Sequence, residues 1–407
     1  MRSNAMGPWL APLVLALFTF GTADFVVAGI LRELADGLDT SEAAAGQLVT
    51  VYSIVYAVAA PLAAVVTTRV ARRTLAAYSL LLFIAGNVIA ATAPSYEVLM
   101  ASRVLSAVAA AAVTPMCFGA AGTLPPPGQR GKALGMLSGG IMLAQLLGVP
   151  MGTWLGGTWG WQAAFWMCVV LGVVVLVSML TLLPRLDPPP PMGLRERLAP
   201  VTQGPILRGL SAMMLLSAGS MMMMTYIAPI SEKASGVDTN GIAALFIAAG
   251  LAGVVATQIG GTASDRLGAL RTVTIGATTL VVAMVGLSSA VVWGDAPFWT
   301  LILVVMVMAF GIGMLNPPLN VWLLSRSGNS SNEVMALNAS VMYLGTSLGG
   351  VAGGVLLSGS GAVGLPILAV VETILVVLLV ATAGRSGDTS DPSSGGGSKS
   401  ALPAQAH

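Results

Sequence analysis

Asp24, Arg103 and Glu372 are the charged residues that fall deep inside long apolar runs of this 407-residue chain. A charge at the centre of a bilayer costs about 2.5–3.5 kcal/mol on insertion scales, so one retained there is a candidate for function. Asp24 has Phe20 and Gly21 one helical turn before it and Ala28 one turn after, which leaves its carboxylate room on one face. Removing a carboxylate from water favours its neutral form, and a carboxyl that changes protonation is what a proton-coupled carrier requires. Arg103 is a permanent cation. Such a group favours ionisation of a nearby carboxylate and ceases to do so when the two are drawn apart, so the pair can act as a switch. Two structural readings stand beside this chemistry: an Asp24–Arg103 ion pair that only pins two helices, and an arginine satisfied by backbone carbonyls.

Asn316 and Asn320 are spaced i, i+4, hence on one helix face, and flank Pro317 and Pro318, which are expected to break the helix there. Amides beside a break in a membrane helix are common material of a substrate pocket. With Asn338, Tyr343, Tyr226, Tyr52, Tyr56 and Gln145 they form a candidate lining for a small-molecule substrate; the alternative for each is an interhelical hydrogen bond. Met221 opens a run of four methionines, whose thioethers re-pack around varied apolar shapes; in a chain with 22 methionines, core filling is the alternative. Gly148, Gly152 and Gly156, with Pro150 among them, and Gly345, Gly349 and Gly353 recur every four residues, a spacing that lets helices approach closely and slide.

These residues need helices that cross a membrane to hold them. The sequence is 56% hydrophobic and 8% charged, against about 25% charged in a soluble domain. It cannot cover a water-soluble fold of this size, so soluble enzymes and nucleic-acid binders are excluded as descriptions of the whole chain. Apolar runs near 9–31, 43–66, 74–93, 98–120, 133–155, 163–183, 206–230, 241–262, 272–292, 298–323, 334–357 and 365–382 predict an all-α integral membrane protein of twelve spans, the first kept as a mature span. Cys117 and Cys168 lie in apolar runs and His407 is the single histidine, so no metal site, cofactor or histidine-based catalysis is expected.

With both termini cytoplasmic, every basic residue except Arg32, Lys233 and Arg103 falls on inside segments, as the positive-inside rule requires. The stretch 184–205, with Pro188 to Pro191, reads as a cytoplasmic linker between six-helix bundles at 1–183 and 206–382, and 383–407 as a disordered cytoplasmic tail. One offset of 197 residues lays Arg69 on Arg266 and the glycines 148, 152 and 156 on 345, 349 and 353, which marks a parallel duplication and a two-half transporter. The same offset sets Met221 against Asp24 and Thr300 against Arg103, so the second half lacks both charges.

The segment Gly261-Thr-Ala-Ser-Asp265-Arg266-Leu-Gly268 with Arg271, between spans 8 and 9, resembles the loop signature of the major facilitator superfamily. Gly148-Val-Pro150-Met-Gly152 in span 5 resembles the antiporter motif of its drug:proton antiporter branch. Gly21-Thr-Ala-Asp24-Phe25 with Gly29 is similar to the start of that branch's bacterial drug and sugar-efflux members, of the amphenicol-exporter type. Gly160-Trp161-Gln-Ala-Ala-Phe165-Trp166 and Thr225-Tyr226-Ile-Ala-Pro229 add to a likeness that covers roughly 8–382. The resemblance implies the major facilitator fold, a cavity-facing arginine at 103 that sets the protonation of nearby acids, and cytoplasmic latches at Arg69, Arg72, Asp265 and Arg266. It also implies sliding contacts at Gly148, Pro150 and Gly152, and a peripheral span 12 in which Glu372 is protonated or paired with a polar neighbour. The first-half loop departs from the signature: Ala64, Thr68 and Ala71 stand where it has glycine, aspartate and glycine, which removes the acid of that gating contact.

The resulting expectation is a proton-driven exporter of small lipophilic drugs or antibiotics, working by alternating access as a monomer in the bacterial inner membrane. Its partners are the substrate, protons and the lipid bilayer. No phosphate-binding glycine loop with its lysine occurs, so ATP is not the expected energy source. Export of sugars, nucleosides or other metabolites stays open, as does a receptor or scaffold that does not transport.

Overall fold

The computed structural model describes residues 7–67, 70–125, 129–184, 193, 195 and 198–385. Arg69, most of the expected linker and the tail beyond 385 lie outside the described residues. Among the described residues, twelve helices are long and apolar enough to cross a membrane: Leu10–Gly29, Glu42–Val66, Arg72–Ala91, Tyr96–Ala121, Lys132–Trp159, Gln162–Leu182, Gly204–Thr225, Thr239–Leu267, Ala269–Trp293, Phe298–Leu324, Glu333–Gly359 and Gly361–Ala381, here spans 1 to 12. Helix is the local solution because no water in hydrocarbon can satisfy backbone N–H and C=O groups. The outer faces stay apolar: Val282 is 61% and Val355 68% exposed, a surface that only lipid can cover.

The helices form two six-helix bundles with one pairing scheme. In the first, span 1 packs on spans 5 and 6, span 4 on spans 2 and 3, and span 3 on span 6; in the second, span 7 packs on 11 and 12, span 10 on 8 and 9, and span 9 on 12. The bundles meet along spans 2 and 11 and along spans 5 and 8. The glycine ladders explain part of this. A Cβ at Gly148 or Gly152 would collide with Thr22 or Val26 of span 1, one at Gly156 with Ile30 just beyond it, and one at Gly345, Gly349 or Gly353 with Met214, Ala218 or Tyr226.

Three features differ from the sequence reading. The run 9–31 is span 1 plus the start of a short helix, Leu31–Gly37, after a break at Ile30 (φ −117°, ψ 24°). The run 206–230 is likewise span 7 plus the start of a helix Ile227–Ser235, after a break at Tyr226 (φ −104°, ψ 24°). Both breaks sit between apolar residues, so hydropathy passes over them. The expected break at Pro317 and Pro318 is absent: the helix runs unbroken from Phe298 to Leu324. A proline removes its own N–H and crowds the carbonyl four residues back, here those of Gly313 and Met314, and packing against neighbouring helices tolerates that loss in a membrane. Gly313 packs closely on span 8: a Cβ there would lie 2.8 Å from Ala256 and 2.9 Å from the Gly253 carbonyl. The irregular turn is in span 5 instead, where Ala144–Gly148 widens into a π-turn just before Pro150.

Candidate functional site

Asp24 and Arg103 are each 1% exposed, on spans 1 and 4 at the centre of the first bundle. Among the described residues they form no ion pair within 4 Å. Arg103 Nη1 donates to the Ala23 carbonyl at 2.9 Å, and its guanidinium lies over the Tyr52 ring, 4.4 Å from the centroid. The arginine is thus anchored on the residue beside Asp24 and held over an aromatic face. From the other bundle, the Tyr343 side chain reaches the Asp24 carboxylate. The Tyr343 ring stacks on Tyr56 of span 2, centroids 3.7 Å apart. Asp24, Arg103, Tyr52, Tyr56 and Tyr343 therefore form one cluster that crosses the contact between bundles. It has unused capacity: Asp24 Oδ1, Arg103 Nε and Nη2 and the Tyr52 hydroxyl are buried without a hydrogen-bond partner. Buried polar atoms of this kind call for an explanation, and a guest that brings both donors and acceptors supplies one.

The amides form a second group. Asn320 Nδ2 donates to Asn316 Oδ1 at 2.9 Å, and Asn338 Nδ2 donates to Asn320 Oδ1 at 3.0 Å, so spans 10 and 11 are linked by an amide chain. The i, i+4 placement of Asn316 and Asn320 is realised, on an unbroken helix. Met221 is half-buried on span 7, and Gln145 is exposed in the π-turn of span 5, outside both groups. Tyr226 is elsewhere: its hydroxyl donates to the Gly350 carbonyl at 2.9 Å and lies beside Gln47 Nε2.

That tyrosine belongs to a closure the sequence reading missed. Gln47 also donates to Gly350 at 3.2 Å, Arg32 pairs with Glu232 at 3.1 Å, and Thr239 donates to Glu33. These contacts join the bundles at one end, through the short helices that follow spans 1 and 7. The signal available was the pair of charged stretches, Arg32-Glu33 and Glu232-Lys233, within seven residues of the breaks that end both spans. At the opposite end the expected latches do not join the bundles: Arg72 Nη1 bonds the Met116 carbonyl within its own bundle at 3.3 Å, and Asp265 and Arg266 are exposed with no ion pair among the described residues. Gly148, Pro150 and Gly152 are buried where span 5 meets span 1. No group of three or more His, Cys, Asp or Glu among the described residues is placed to hold a metal.

The chain resembles known transporters over most of its length. The sequence pattern of the Major Facilitator Superfamily matches residues 13–350 and 210–404. The inner membrane transport protein YdhP of Escherichia coli is 28% identical over 387 residues, 92% of this chain and 96% of that one. The MFS-type transporter YbcL of Bacillus subtilis is 27% identical over 343 residues, 84% of this chain and 87% of that one. The crystal structure of a D-xylose-proton symporter superposes with a TM-score of 0.76 at 18% identity, covering 92% of this chain and 96% of that one, which is a likeness of fold.

Proposed function

From the premise that this chain belongs to the Major Facilitator Superfamily, we propose that it is a proton-coupled exporter of small lipophilic molecules, with Asp24 as the coupling acid and Arg103 as the group that tunes it. The observation that carries the reading is the contact between Tyr343 of one bundle and Asp24 of the other, beside a buried arginine. An ionised Asp24 accepts the tyrosine hydrogen strongly and holds the bundles together at mid-membrane; a protonated one accepts it weakly. Proton uptake and release at a single atom then bias the rocking of the two bundles.

In this reading both termini are cytoplasmic, the protein sits in the inner membrane, 1–183 and 206–382 are the moving bundles joined by the linker 184–205, and the closure at Arg32, Glu232, Glu33, Thr239 and Tyr226 faces outward. Opening it breaks a partly exposed ion pair, worth about 0–1 kcal/mol, and a few hydrogen bonds, worth about 0.5–1.5 kcal/mol each. One proton moving inward supplies about 2.3 kcal/mol per 100 mV. Met221 and Met224, half-buried on span 7, offer thioethers that re-pack around varied shapes, which suits lipophilic guests.

A second reading, a carrier of sugars or related polar metabolites, is favoured by the Asn316–Asn320–Asn338 chain and by the name of the D-xylose-proton symporter whose fold is similar. Purified protein in proteoliposomes with an imposed pH gradient separates the readings. Uphill movement of an amphenicol or another lipophilic antibiotic supports the first, and uphill movement of a pentose or nucleoside the second. Movement of neither, with no counterflow, overturns both and leaves a receptor or scaffold.

A further inference from the structure

A second buried carboxyl has no part in the cycle described above. Glu372, near the middle of span 12, is 9% exposed, and its Oε2 has no hydrogen-bond partner. It borders a cavity of about 10 Å³ enclosed by spans 7, 9, 10 and 12, whose other walls include Ser220, Met223, Met284, Ile312 and Thr373. Gly219 stands against the carboxyl: a Cβ there would lie 2.6 Å from Oε2, so the missing side chain makes the space. A volume of this size admits one water or one small ion and excludes any drug or sugar.

The polarity of the walls narrows the guest further. The Ser220 hydroxyl gives its hydrogen to the Leu216 carbonyl at 2.6 Å, and the Thr373 hydroxyl gives its own to the Ala369 carbonyl at 2.7 Å. With those hydrogens committed, the side-chain oxygens at the cavity present only lone pairs. Apart from Glu372, no charged side chain among the described residues lines it. On span 7 the charge is Arg208, about 18 Å along the helix from Ser220, and on span 9 Arg271, about 13 Å from Leu280 at 1.5 Å per residue. Span 10 has none, and the Glu333 of span 11 is at that span's first turn.

A carboxylate among acceptors, with no cation in reach, is matched by a guest that brings positive charge. We propose that Glu372, Ser220 and Thr373 form a second monovalent-cation site, inside the C-terminal bundle and separate from Asp24, that takes a proton or a sodium ion. In the proton case an O–H bond forms on Glu372 and its hydrogen points to a neighbouring hydroxyl oxygen; in the sodium case the three oxygens ligate the ion directly. Span 7, which contributes Gly219 and Ser220, also carries Ser217, whose hydroxyl donates to the Met342 carbonyl of span 11 at 2.7 Å, and ends at the Tyr226 closure. Occupancy of the site therefore fixes span 12 against a helix that both ends of the cycle use. The site is argued without reference to the substrate or to Asp24, so its failure leaves the proposed coupling acid untouched.

The test is infrared difference spectroscopy of full-length D24N protein in lipid, in which the protonated-carboxyl stretch is recorded as pH is varied with choline chloride or sodium chloride at equal ionic strength. A protonated-carboxyl band that titrates in D24N and is lost in D24N/E372Q supports the site. If sodium chloride removes the band at fixed pH the guest is sodium; if the two salts give the same titration it is the proton. Should E372Q fail to insert, Gly219→Ala, which crowds Oε2, must move the band or its midpoint. Identical spectra in D24N, D24N/E372Q and D24N/Gly219→Ala overturn the proposal.

Discussion

The two bundles share a pairing scheme and a pair of helix breaks, yet they differ in where charge and irregular backbone reside. Span 1 carries Asp24 and span 7 has Met221 in its place, while span 7 faces Glu372 of span 12 across Gly219. Span 5 contains a π-turn before Pro150, whereas the corresponding helix Ser331–Gly359 is regular throughout. The breaks at Ile30 and Tyr226, by contrast, have almost the same dihedrals. The two halves keep the same helix breaks and differ in the charged residues they carry. The first bundle is built around a buried arginine with unmet hydrogen-bond capacity, and the second around an amide chain and a small acceptor-lined cavity.

The largest expected effect breaks the charged side of this comparison. Arg103→Ala leaves Asp24 without a nearby cation and the Ala23 carbonyl without its donor, and removing one partner from a buried charged arrangement costs about 3–5 kcal/mol. Transport should fall about tenfold or more, with insertion retained; Arg103→Lys, which keeps charge but loses the planar fork over Tyr52, should fall in between. Transport assays in vesicles with matched protein levels check this, and full activity of the alanine variant would make Arg103 a purely structural residue.

A middle-sized effect compares the glycine ladders. An added methyl at Gly349 meets the backbone carbonyl of Ala218, whereas at Gly148 it meets the side chain of Thr22. Gly349→Ala should lower stability by about 1–3 kcal/mol, the usual range for overpacking, and Gly148→Ala by less. Thermal unfolding in detergent decides it; equal losses would mean that the two ladders are equivalent.

The smallest effect concerns the closure. Arg32→Ala should weaken it by no more than about 1 kcal/mol, because the pair with Glu232 is partly exposed. Spin labels at Asp36 and Lys233 should then report a greater share of long distances, and the exchanged pair Arg32→Glu with Glu232→Arg should restore the parent distribution. A distribution that Arg32→Ala leaves unchanged would show that Tyr226, Gln47 and Gly350 close this end without help.

Much of this was legible from residue order alone. Twelve apolar runs located twelve spans because hydrocarbon demands length and apolarity, and the 197-residue offset located the duplication because glycine spacing is fixed by helix geometry. Asp24 and Arg103 stood out because charge is scarce in such runs. What escaped were features set by contacts between distant segments. The breaks at Ile30 and Tyr226 change the backbone without changing hydropathy, the prolines at 317 and 318 leave their helix unbroken, and Tyr226 turned from the expected pocket lining to a bond with Gly350. The closure joins residues some 200 positions apart whose types are ordinary for a surface loop.

The central claim is that Asp24 couples the proton to movement of the bundles, and the most direct measurement compares Asp24→Asn with the parent in proteoliposomes, using one transported compound under two conditions. The substitution keeps shape and much of the hydrogen bonding with Tyr343 while removing the titration. The account predicts that counterflow exchange at equal pH survives, and that uphill export driven by a pH gradient is lost together with its dependence on external pH. Uphill export by the Asn variant at the parent's rate, with the parent's pH dependence, would contradict it.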